Sequence, residues 1–202
     1  MRSLIPGVTF FLIATIGRLA GAVEPERKVE GKAMILVGSG VRDKEGDKLY
    51  NISFFVGEKE ARRSFPALVM RAGGKDKARL TRGDHAPAFL VWGHFPKLAV
   101  LKFTRAVPAK ELRADLQSAL DMSVKGADDF LAAVDDARAG DEWLLTSLED
   151  GEVTLTIAGT PRPGPAGPKV ARAIWNIWLG EHPLSTDLRR ALIEHIDVLG
   201  SK

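Results

Sequence analysis

The 202-residue chain contains no cysteine. Disulfides, cysteine-ligated metals and a thiol nucleophile are therefore excluded, and stability must come from an apolar core. The sequence also lacks a phosphate-binding loop, a dinucleotide fingerprint and a GxSxG elbow. Its four histidines, His85, His94, His182 and His195, show no carboxylate spacing that would make a metal site, and they read as surface or turn residues. No cofactor is implied. Neither sign of charge dominates: 29 Lys+Arg stand against 26 Asp+Glu, with 45% hydrophobic residues, the balance of an ordinary globular protein.

The formal charge of +3 is a weak pointer to nucleic acid, and part of it sits in the N-terminal segment. Residues 1–22 carry Arg2, an uncharged apolar stretch from Ser3 to Gly17, and the small-residue exit Ala20-Gly21-Ala22. These are the parts of a signal peptide, with cleavage expected after Ala22; the stretch is too short to span a bilayer comfortably. Arg18, close to the cleavage site, keeps an uncleaved anchor as the alternative. Cleavage removes Arg2 and Arg18 and no acid, which leaves 27 bases against 26 acids and removes the nucleic-acid argument. The expectation is a periplasmic or secreted protein, residues 23–202 forming a single domain with no stable membrane span after cleavage.

Along the mature chain, residues 23–32 read as a charged lead-in. Ala33 to Val37 and Lys48 to Val56 flank Asp43-Lys44-Glu45-Gly46-Asp47 and predict a hairpin. Phe65 to Arg71, Ala88 to Trp92 and Leu98 to Phe103 are further strand candidates, and Gly73 to Pro87 reads as a basic surface loop. The spacing of Leu112, Leu116, Ala119 and Leu120 predicts a helix, repeated less clearly over 128–138. Trp143 to Leu148 and Glu152 to Ala158 predict a second hairpin around Glu149-Asp150-Gly151. Residues 159–168 hold four prolines and three glycines and read as a loop. Two helices close the chain, one from Lys169 to Leu179 and one starting near Ser185, a suitable N-cap. Strands first and helices later give an α+β protein. Trp175 and Trp178, one helical turn apart, are either core packing or the wall of an apolar cavity.

Two blocks resemble the chalcone isomerase superfamily, in particular its exported bacterial members. One is Gly38-Ser39-Gly40-Val41-Arg42 with Tyr50-Asn51-Ile52-Ser53-Phe54-Phe55-Val56; the other runs from Ile177-Trp178-Leu179-Gly180-Glu181-His182-Pro183-Leu184 through Leu192. The resemblance implies an open-faced sandwich, a large antiparallel sheet with a helical layer on one face and an apolar cleft between the layers. It covers most of residues 30–196 as architecture, with residues 73–97 longer than the family's connection. The family's isomerases use an arginine, a strand threonine, a tyrosine and an asparagine on a helix, and a polar residue near the penultimate helix. Here the arginine is Arg42, the threonine position is Tyr50, the helix positions fall near Leu112 and Ala119, and the last falls at or beside Ile177.

Apolar residues at three of those positions cannot donate to a developing oxyanion, so the resemblance leans away from catalysis. Arg42 with Tyr50 is similar instead to the pairing by which the family's fatty-acid-binding branch holds a carboxylate, with a guanidinium fork and a phenol over an apolar cleft. Arg42, Tyr50, Ile177 and Trp178 are therefore the candidate ligand-binding residues, for a fatty acid or similar apolar carboxylate. Arg42 could equally satisfy a neighbouring acid or backbone carbonyls, and Tyr50 could be a strand aromatic. Three functions stay open: a non-catalytic binding protein, an isomerase on an unknown substrate, and a structural or envelope-interaction protein whose cleft its own side chains fill. A structure without a cavity beside Arg42 favours the last.

Overall fold

Strand-forming residues in alternation build a seven-stranded sheet whose spatial order is its chain order, every neighbouring pair antiparallel. The computed structural model describes residues 27–201; the expected signal peptide, its cleavage after Ala22, Arg2 and Arg18 lie outside the described residues. The strands are β1 (Arg27–Val29), β2 (Lys32–Lys44), β3 (Asp47–Gly57), β4 (Lys97–Phe103), β5 (Glu142–Ser147), β6 (Glu152–Ile157) and β7 (Thr160–Ala166). The helices are α1 (Glu58–Ala72), α2 (Lys77–Leu80), α3 (His85–Trp92), α4 (Ala109–Gln117), α5 (Ala127–Ala132), α6 (Pro168–Leu179) and α7 (Thr186–Ala191), followed by a 3-10 turn, Ile196–Gly200.

One face of the sheet carries Tyr50, Ile52, Phe54 and Val56 of β3, Ala99, Leu101 and Phe103 of β4, Trp143 and Leu145 of β5, and Leu155 of β6. All seven helices contribute buried residues to the core on that face, so the layers form the expected open-faced α+β sandwich. The opposite face holds a smaller cluster, Met34, Phe55, Leu98 and Val100, built only from strands. Arg27 stands 6.0 Å over the Phe55 ring and pairs with Glu142 at 3.1 Å.

Both hairpins, β2–β3 and β5–β6, form where the alternation and turn residues place them. Gly38 and Gly40 do not end β2; the strand runs through them, with its register shifting between Leu36 and Gly38. Ser185 caps α7 by accepting from the Leu188 N–H at 3.2 Å. The lead-in at 27–29 is itself a strand, since it pairs with Lys32–Met34 across the Glu30-Gly31 turn.

Four expectations are corrected. Residues 65–71 belong to α1 despite Pro66, because Ala61, Phe65 and Leu68 repeat at helical spacing and bury one face. Residues 88–92 belong to α3, where Ala86, Phe89 and Leu90 share a buried face. The segment from Gly73 to Pro87 is more than a loop: Asp76 caps α2 by accepting from the Arg79 N–H, and Leu80 is fully buried. The proline-rich stretch is strand β7, at the sheet edge. Pro161, Pro163 and Pro165 alternate, so the residues between them make the ladder to β6.

Candidate functional site

Arg42 and Tyr50 are direct partners in the β2–β3 ladder, which sets their side chains next to each other on the helical face. Both are buried, Arg42 at 7% and Tyr50 at 0% exposure. A buried guanidinium needs a counter-charge, and it finds one within the chain. Asp115, 2% exposed on α4, accepts from Nε at 3.0 Å and from Nη2 at 2.5 Å, a two-pronged pair. Nη1 donates to the Asp43 carbonyl at 3.1 Å and the Leu184 carbonyl at 2.9 Å. Lys44 Nζ lies 3.7 Å from Asp115. Hydrogen bonding to Asp115 holds the Arg42 guanidinium above its usual range.

The Tyr50 hydroxyl accepts from Trp178 Nε1 at 3.1 Å. Its own hydrogen has no acceptor among the described residues. Burial drives its pKa upward, against the opposing effect of the Trp178 bond, so the phenol stays neutral. Trp178 links this polar corner to an apolar cavity, which it lines with Leu101, Leu112, Leu116, Phe130 and Trp143. That cavity has room for about one water molecule. Arg42 is not on its wall. The Trp143 indole N–H is buried with no hydrogen-bond partner among the described residues.

Comparison with known proteins agrees with this architecture. Residues 98–194 match the family model described as chalcone isomerase-like. The crystal structure of a fatty-acid binding protein from Arabidopsis thaliana aligns with a TM-score of 0.67 at 12% identity, over 88% of this chain and 94% of that one. The chain has the chalcone isomerase-like fold. A search of curated proteins gives no match.

Within the chalcone isomerase-like fold, three of the four candidate residues come together: Arg42 beside Tyr50, and Tyr50 bonded to Trp178. Ile177 is buried and joins only through the backbone. Its carbonyl accepts from the Leu184 N–H at 2.8 Å, and the Leu184 carbonyl in turn accepts from Arg42. Sequence reasoning missed Asp115. It looked for polar helix positions near Leu112 and Ala119, whereas the inward polar position is the acid between Leu112 and Leu116. An acid adjoining that apolar stripe was the available signal. Trp175 serves packing, with its ring 5.3 Å from Phe54 and its N–H donated to Ser147 at 2.8 Å.

Far from Arg42 on the same face, Lys97 is 5% exposed and pairs with no carboxylate among the described residues. Its Nζ donates to the Gly93 carbonyl at 2.8 Å and lies 4.9 Å from the Phe95 ring centre. Burial, and then the nearby Arg172, push its pKa down to about 8. A base depressed on folding lets the unfolded chain bind more protons between pH 8 and its ordinary 10.5, so stability rises with pH across that window. Lys97→Met should therefore be more stable than the parent at pH 7, by on the order of 3 kcal/mol. The gap should close above pH 10.5. Paired urea unfolding curves at pH 7 and pH 10.5 measure this; a pH-independent gap would contradict it.

Proposed function

We propose that the chain is a non-catalytic binding protein for a fatty acid or similar apolar carboxylate, exported to the periplasm or secreted. The observation that carries the reading is that Arg42 already holds a buried carboxylate in two-pronged geometry beside a Tyr50 hydroxyl with a hydrogen to spare. A ligand carboxylate would replace Asp115 on Arg42 and accept from Tyr50, with its chain directed past Trp178 towards the Leu112, Leu116 and Trp143 cavity. Likeness to the Arabidopsis fatty-acid binding protein supports the reading at the level of fold. Turnover is disfavoured: every nitrogen of Arg42 donates within the chain, and Leu112 and Ile177 offer no side-chain donor.

The cavity admits no alkyl chain without repacking of α4 against α6, so Asp115 is in competition with the ligand. Asp115→Asn should therefore retain more fatty acid than the parent, and Arg42→Gln less, in native mass spectrometry of protein purified without detergent. Apolar ligand absent from all three proteins would sink the reading.

A second reading has its own observation. Trp143, Trp175, Phe54 and Phe103 fill the space between the layers, and Arg42 lines neither the Trp178 cavity nor the one beside Lys97. That is the arrangement of a structural protein whose interior is complete, and empty spectra for parent and variants alike would favour it. An isomerase would instead turn over chalcones or related enones at high protein concentration.

A further inference from the structure

Lys97, Ser147 and the start of α6 border a second cavity, shared with Arg172 and the exposed Trp92. Lys97 and Ser147 are a cross-strand pair on β4 and β5. Lys97 lies six residues along β4 from Phe103, the partner of Tyr50, a separation of roughly 20 Å. This cavity is therefore separate from the Arg42 corner.

Its walls have donors in excess. Lys97 has three N–H groups and two carbonyl acceptors, Gly93 and a longer contact to Phe95. Ser147, 1% exposed, accepts from Trp175 Nε1, and its own hydroxyl hydrogen has no acceptor among the described residues. Arg172 stacks 4.4 Å over Trp92 and pairs with no carboxylate among the described residues. The first turn of α6 adds the positive end of a twelve-residue helix, without a side-chain cap. Glu149, the acid on this wall, is engaged by Lys32 at 2.6 Å, and His94 is the remaining titratable group there. Two cations, one of them buried, thus face one small space whose one carboxylate among the described residues, Glu149, is already paired with Lys32. Buried charge is ordinarily paired.

We propose that this cavity is a binding site for a small oxyanion, a phosphate or carboxylate group, held by Lys97 Nζ, the Ser147 hydroxyl and the Arg172 guanidinium. Such a group supplies the acceptors that all three donors lack, and its charge offsets the repulsion between Lys97 and Arg172. Trp92 stacks on Arg172 at the entrance and keeps the guanidinium over the cavity.

The test is titration of the full chain with sodium phosphate in one series and sodium acetate in another, ionic strength being held with sodium chloride. Tryptophan fluorescence and the NMR signal of the Lys97 side chain report binding. Saturable binding in the phosphate series identifies a phosphate site, and in the acetate series a carboxylate site; either supports the proposal. Arg172→Gln, at a half-buried position, should weaken that binding about tenfold, and Ser147→Ala should also weaken it. Lys97→Met should abolish it. No saturation in either series overturns the proposal, as does equal binding by the parent and Arg172→Gln, the behaviour of an adventitious ion only.

Discussion

Asp115→Leu should destabilise the protein by about 4 kcal/mol, because it strands the Arg42 guanidinium in the interior with only the Asp43 and Leu184 carbonyls as partners. Arg42→Met should cost less, about 3 kcal/mol, since Lys44 is already 3.7 Å from Asp115 and can turn towards it. That asymmetry is specific to this geometry. Combining Arg42→Met with Asp115→Leu should recover most of the loss, because two apolar residues of similar size need no counter-charge. Chemical denaturation of the four proteins gives the coupling directly. Additive losses in the double variant would mean that the two side chains do not act as a pair.

The second large effect belongs to Gly38. A Cβ built there would lie 2.3 Å from the Leu192 carbonyl carbon and 2.4 Å from the Ala191 and Leu192 oxygens, all backbone atoms that cannot swing aside. Nearby, the His195 N–H donates to the Val37 carbonyl at 2.8 Å, so the segment that follows α7 is tied to β2 beside the point of closest approach. Gly38→Ala should push the C-terminal segment off the strand at a cost of about 3 kcal/mol. Gly40→Ala is the natural control. Its Cβ would meet the Leu188 methyl at 2.7 Å and the Ala191 Cβ at 3.0 Å, and the leucine can rotate, so about 1 kcal/mol is expected. Thermal unfolding of the two variants should show the larger drop for Gly38→Ala; equal drops would show that close approach does not govern this site.

Sequence reading did well where periodicity and punctuation agreed. The alternation of Val153, Leu155 and Ile157 beyond Gly151, and the apolar face of α6 ending at Gly180, are local signals that nothing distant needs to correct. It failed at Phe65–Arg71 and Ala88–Trp92, where a short apolar run fits a buried strand or a buried helix face equally well. There, Ala61, Phe65 and Leu68 held the deciding spacing, but Pro66 drew attention away from it. For the site, the family resemblance put Arg42 with Tyr50, and the β2–β3 register makes them ladder partners. The partner of Arg42 did not, because Asp115 is 73 residues away and only the packing of α4 brings it close. Lys97 and Ser147 were invisible for the same reason: a lysine opening a strand looks exposed until α3 and α6 bury it.

The alternating prolines of β7 bear on how the molecule behaves in a crowd. An open sheet offers its free edges to any strand that meets them, and a neighbouring copy is always the nearest candidate. Pro161, Pro163 and Pro165, in β7 at one margin, have no N–H to offer. A second copy thus finds the β7 margin short of donors. The composition that disguised β7 as a loop is also what keeps this edge of the sheet from taking on an eighth strand borrowed from another molecule.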